Sequence, residues 1–195
     1  MRSNKGFTLI ELLAMLVVLG VLMVITVPNI SGILKNQRDN TLVEDANRFL
    51  NMAKTVVATD KNIKKPSSSM SCIIITLEYA DKNNEISKGA NNQEYDRYDS
   101  FIVMIRNGSS YDYRVRLIEP GNRSIKLQPE SSITSFQSLS SKDKENSPVI
   151  DDDPGTTLVT ESSTKDQIAS SLSAFNYNHN ICTIENVYMK TTNNY

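Results

Sequence analysis

The sequence predicts an α+β protein in which one long N-terminal α-helix packs against an antiparallel β-sheet head. Three observations point there. An unbroken apolar run occupies Phe7 to Val27, and a periodic pattern of apolar residues continues from it to about Thr59. Beyond Thr59, short alternating runs are separated by turn signals such as Asn107-Gly108 and Glu119-Pro120-Gly121-Asn122. The 195 residues amount to one domain or slightly more, which excludes a large multidomain enzyme.

Charge and composition narrow the function classes. Lys and Arg number 21 against 22 Asp and Glu, a formal charge of -1, so bulk charge gives no reason to expect nucleic acid as a partner. The single histidine, His179, stands among asparagines and reads as an ordinary surface or loop residue. Cys72 and Cys182 form no CxxC pair, which excludes a zinc ribbon or a thioredoxin-like redox site. No motif pairs a nucleophile with a base and no glycine-rich phosphate loop is present, so an enzyme is not expected.

The first element is FTLIELLAMLVVLGVLMVITV, residues 7–27. As a helix it rises roughly 31 Å, enough to cross a hydrocarbon core. Its one charge, Glu11, costs on the order of a few kcal/mol in such a setting, so something must offset it. Ahead of it stands MRSNKG with Arg2 and Lys5; behind it come Val27, Pro28, Asn29 and Ile30, with no cleavage site of A-x-A type. The apolar helix is therefore expected to be retained. The basic residues before it favour a cytoplasmic N-terminus, an argument that Lys35 and Arg38 beyond it weaken.

Lys5-Gly6-Phe7-Thr8-Leu9-Ile10-Glu11-Leu12 resembles the class III signal of type IV prepilins and pseudopilins, in which a short basic leader ends in Gly and a Phe-initiated apolar helix carries Glu at its fifth mature position. The resemblance covers about the first 30 residues. It implies that residues 1–6 are a leader, cleaved between Gly6 and Phe7 by prepilin peptidase, and that the new Phe7 amine is N-methylated. It further implies a pilin-like fold: a helix over 7–59, with 7–27 transmembrane before assembly and in the filament core afterwards, and a globular head over 60–195. The implied partners are other copies or other pilins, prepilin peptidase, an inner-membrane assembly platform and the membrane. Loss of the leader takes the basic count from 21 to 19 against 22 acidic residues, or -3.

Physical chemistry is consistent with that resemblance. Cleavage would leave a positive Phe7 amine, which Glu11 of a neighbouring subunit can neutralise in a low-dielectric bundle, setting register. Glu11 also lies one turn from Phe7, so the same pair within one subunit stands as the alternative. Gly20 and Pro28 are the helix-weakening residues, and the interval between them is expected to kink or melt; the other reading of Pro28 is the point where the helix leaves the bilayer.

After Pro28 the residues Ile33, Leu42, Ala46, Phe49, Ala53, Val56 and Val57 recur at helical spacing with charges between them, so one stripe is expected to face a sheet. Lys61 to Ser69 breaks the helix as a basic, Pro/Ser-rich loop. Cys72–Leu77 reads as a buried strand, 81–99 as irregular, and Ser100–Arg106 as a second strand. Asn107-Gly108 then marks a hairpin into Tyr111–Leu117, and a short third strand carries Ile125 and Leu127. One face of this meander is expected on the helix; the other, bearing Arg114, Arg116 and Lys126, is expected to face water or a neighbouring subunit. Ser163 and Asp166 suggest a capping box before a short helix with Ile168, Leu172 and Phe175 on one side, and a last strand is expected over 180–190.

Two features of the head are left open. Cys72 and Cys182 stand either as free thiols or as one disulfide, worth about 4 kcal/mol in the chain-entropy model; the family resemblance does not decide, since many pilins place both cysteines near the C-terminus. Asp151-Asp152-Asp153 reads as a solvated turn, with Ca²⁺ a weaker alternative because the alternating spacing of an EF-hand loop is missing. The function the resemblance implies is a structural subunit, major or minor, of a type IV pilus. The alternatives are a pseudopilin of a type II secretion or competence DNA-uptake system, or a membrane-tethered adhesin. The chain is accordingly expected in the cell membrane before assembly and outside the cell, in a pilus or pseudopilus, after it.

Overall fold

A computed structural model describes residues 6–90, 92–120, 123–134, 150–151, 159–174 and 182–189; for 24–31, 123, 134, 150–151 and 171–174 it describes the backbone alone. The first element is α1 (Leu9–Thr59), of 51 residues. The chain divides into two compact units, Met1–Arg38 and Asp39–Tyr195, and α1 contributes to both. The first unit is helix from Leu9 on; Ile33, expected in the core-facing stripe, is exposed within it.

The second unit is α+β. After the last part of α1 come β1 (Ser71–Thr76), α2 (Leu77–Ala80), β2 (Phe101–Asn107), β3 (Ser110–Glu119), β4 (Arg123–Pro129), α3 (Glu130–Thr134), β5 (Ile150–Asp151), α4 (Lys165–Ala174) and β6 (Thr183–Tyr188). Among the described residues these strands form one six-stranded sheet in the order β5-β4-β3-β2-β1-β6. β1 through β4 pair antiparallel, as expected; β5 adds antiparallel to β4, where the sequence reads as a solvated turn at Asp151. β6 departs from the expectation, because it lies parallel to β1, with Cys72 opposite Ile184 and Ile75 opposite Tyr188. A parallel neighbour needs a long crossover, and the chain from Leu77 to Cys182 supplies one.

One face of the sheet packs on α1. Leu42, Ala46, Phe49, Leu50, Ala53 and Val57 repeat every three or four residues and meet Ile73, Ile75, Ile102, Met104, Val115 and Leu117, all buried. Each of the larger side chains among them, Leu, Phe, Val, Ile and Met, contributes about 1.5–3 kcal/mol by leaving water. The second face is also covered: Ile74, Phe101, Val103 and Leu127 pack with Val159, Ile168 and Ile184. Burial on both faces explains why β1 is a continuous apolar run in place of an alternating one.

This second layer corrects the expectation that Arg114, Arg116 and Lys126 share an open face. Arg116 is 0% exposed. Its Nη2 donates to Asp99 Oδ2 at 2.8 Å and its Nε to the Asp99 carbonyl at 3.2 Å, while Asp99 Oδ1 accepts the Val159 amide at 3.2 Å. One buried ion pair thus ties β3 to the segments at Asp99 and Val159. Arg114 and Lys126 are half-buried.

Local chemistry shifts three further boundaries. Leu77 leaves β1 and opens α2, because the Thr76 hydroxyl accepts the Tyr79 amide at 3.3 Å as an N-cap. Asn107 pairs with Ser110, so Gly108 and Ser109 are the central turn residues, one position later than expected; Gly108 takes φ 61°, a conformation glycine adopts without steric cost. α4 is capped by Thr164 and Gln167, not by Ser163 and Asp166: the Thr164 amide donates to Gln167 Oε1 at 2.9 Å and the Gln167 amide to Thr164 Oγ1 at 3.3 Å. The irregular stretch 81–99 is held to the core by Tyr95, whose hydroxyl donates to Asp45 Oδ2 at 2.9 Å. Burial raises the Asp45 carboxyl above its ordinary value and outweighs that bond. Gly89 stands where a Cβ would come within 2.8 Å of the Glu119 carboxylate, so any larger residue there would have to displace that side chain.

Candidate functional site: the N-terminal segment

The first unit holds the residues the motif singles out. From Phe7 to Met23 every apolar side chain is exposed, with Leu9 at 83% and Ile10 at 75%. A continuous apolar surface of this extent calls for an apolar environment or for partner helices. Among the described residues no helix is long and apolar enough to cross a membrane. The apolar side chains described there end at Met23, and the sequence carries the run on through Val24, Ile25 and Val27.

Glu11 is the one ionisable residue on that surface. Its Oε2 accepts the Thr8 amide at 2.8 Å and the Thr8 hydroxyl at 2.9 Å, and the Glu11 amide in turn lies 3.4 Å from Thr8 Oγ1. Since α1 begins at Leu9, Thr8 is the N-cap and Glu11 the third helical residue: a reciprocal capping box. The carboxylate also lies at the positive end of the helix dipole, which favours a negative charge. Thr8 is the capping residue that the reading of the motif passes over, although its signal, Thr-x-x-Glu before an apolar run, is plain in Thr8-Leu9-Ile10-Glu11.

Gly6 and Phe7 precede the cap without helical structure. A Cβ added at Gly6 or at Gly20 would meet nothing within 4 Å, so neither glycine is required by packing inside one chain. α1 continues through both Gly20 and Pro28.

The other sequence-selected residues belong to the second unit. Cys72 and Cys182 are joined by a disulfide with a Cα–Cα distance of 5.7 Å, at the entrances of β1 and β6. Of the acidic triplet, Asp151 lies in β5 opposite Ser124, while Asp152 and Asp153 fall outside the described residues, as does His179. Among the described residues no group of His, Cys, Asp and Glu could hold a metal ion. The basic loop is bound to three strands, β6, β2 and β3: the Lys64 amide donates to the Tyr188 hydroxyl at 2.7 Å, Arg106 Nη1 to the Ser67 carbonyl at 2.7 Å, the Ser67 amide to Glu185 at 3.0 Å, and Lys65 sits over the Tyr111 ring at 5.9 Å. The hydroxyl of Ser71 foremost, then Ser67 hydroxyl and amide, hold the Glu185 carboxyl down to about 2.

Comparison with known proteins bears on the first unit. No curated protein and no solved structure matches the chain. Residues 1–27 match the family model of the prokaryotic N-terminal methylation motif. The chain therefore carries, over its first 27 residues, the class III signal of type IV pilins and pseudopilins.

Proposed function

We propose that this chain is a structural subunit, a major or minor pilin, of a type IV pilus. Prepilin peptidase removes residues 1–6, the Phe7 amine is methylated, residues 7–27 hold the chain in the membrane as a single-pass anchor, and assembly moves that helix into the filament core. The observation that carries this reading is the methylation motif set on a helix whose apolar surface is exposed from Phe7 to Met23 and broken only by Glu11. Glu11 spends Oε2 on its own cap, and Oε1 is left to take the Phe7 amine of a neighbouring subunit. Gly20 and Pro28 are where α1 yields when the helices pack into the filament.

Intact-mass measurement of the purified protein tests the reading. Loss of the first six residues together with the gain of one methyl group is expected, and a chain that keeps Met1 would overturn it. Filaments sheared from cells should contain the processed chain; full processing with no chain in them would place it in a pseudopilus instead.

A further inference from the structure

The β4 strand leaves the sheet at Pro129, opposite Arg114, and the chain turns at once into α3. Proline has no N–H to extend the ladder. Ser110, Tyr111, Asp112 and Tyr113 of β3 therefore pair with β2 on one side and, among the described residues, with no strand on the other. Along this open edge runs a cleft of about 570 Å³ lined by Tyr111, Asp112, Arg114, Pro129, Glu130 and Ser131.

Arg114 is half-buried, yet among the described residues its guanidinium makes no hydrogen bond and no ion pair. The carboxylates beside it are engaged elsewhere: Asp112 Oδ2 accepts from Asn107 Nδ2 at 2.9 Å, and Glu130 Oε1 from Lys54 Nζ at 2.5 Å. A partly desolvated cation without an acceptor is costly, and the guanidinium fork matches a carboxylate. An open strand edge offers backbone donors and acceptors to an extended chain. A free small anion would satisfy the guanidinium and leave the edge unused, whereas a peptide answers both. We propose that the open edge of β3 takes an extended peptide by strand addition, with an Asp or Glu side chain of that peptide on Arg114.

The test uses the full-length protein in detergent and a fluorescein-labelled, capped peptide, Thr-Val-Thr-Asp-Thr-Val-Thr, with binding followed by fluorescence anisotropy. Saturable binding is expected. It should weaken about tenfold for the Arg114→Gln protein, and about tenfold when the peptide's Asp is replaced by Asn. N-methylation of alternate peptide nitrogens should abolish it. Should Arg114→Gln fail to fold, Arg114→Lys, which keeps the charge and loses the fork, gives the intermediate affinity that the proposal requires. Equal affinity for the Asp and Asn peptides, or binding that survives N-methylation, would overturn the proposal. So would a dimer of the chain that excludes the peptide and persists in Arg114→Gln, since a second copy would then occupy the edge.

Discussion

At the scale of single residues, two side chains have a role that a charge count does not convey. Thr8 and Glu11 satisfy each other and the first amides of α1, so the acid in the apolar run is also a structural cap. Thr8→Ala removes half of that box, and caps of this kind are worth about 0.5–2 kcal/mol of helix stability. Amide exchange in detergent should then quicken over residues 9–12 and stay unchanged in β1 to β4; no change over 9–12 would show the cap to be idle. The Asp99–Arg116 pair is of a different kind, since both side chains are buried. Asp99→Ala leaves a buried guanidinium without its carboxylate and should cost about 3–5 kcal/mol, read as a fall in the urea midpoint of the head. Adding Arg116→Met to that variant should restore most of the loss, because an apolar side chain of similar length removes the uncompensated charge.

At the scale of elements, β6 depends on a few discrete fastenings. Its own edge faces away from the sheet, and it is joined by the disulfide, by Glu185 on the Ser67 and Ser68 segment, by the Tyr188 hydroxyl at the Lys64 amide, and by the Thr76 hydroxyl, which donates to the Tyr188 carbonyl at 3.2 Å. The Glu185 fastening depends on pH. Its folded carboxyl lies at about 2 against an ordinary 4.5, so the stability it contributes is fully present above 4.5 and is lost as pH falls through about 2. Hydrogen exchange over residues 183–188 should therefore speed up, relative to β2 and β3, between pH 4.5 and pH 2. In Glu185→Gln the same comparison should be flat across that window, and an identical pH response in both proteins would remove Glu185 from the fastening. Elements also show where sequence reading reaches its limit. The β2–β3 hairpin is legible because Gly108 must accept a positive φ and because both strands are periodic. The parallel setting of β6 is not legible, since nothing within residues 180–190 states which strand they will join or in which direction.

At the scale of the whole molecule, the two units differ in how plainly their sequences state their purpose. The N-terminal segment is legible as a motif, because a few residue types at fixed spacing state an apolar helix with one acid near its start, and the methylation-motif family model matches it over residues 1–27. The head is legible as α+β and as a stripe from Leu42 to Val57, but not in its second layer. Arg116 illustrates the reason: it alternates with apolar residues as a solvent-facing arginine does, yet it is buried on Asp99, 17 positions earlier, whose other carboxylate oxygen takes the Val159 amide. Long-range partners of this kind leave no trace in local periodicity. The same holds for Arg114, which looks like Arg116 in sequence and differs from it in having no acceptor among the described residues.

The place of β6 beside β1 has a consequence for how the chain matures. β1 is among the first parts of the head to be synthesised and β6 among the last, with a separation of 110 residues between the cysteines that join them. Until residues 182–189 emerge, one side of Ser71–Thr76, an apolar run, stays unpaired, and Cys72 remains a reduced thiol. Closing so long a loop is slow compared with forming the β2–β3 hairpin, so head maturation ends on a single late event. The bond itself forms in an oxidising compartment, so the last strand and the disulfide are completed together only where thiols are oxidised.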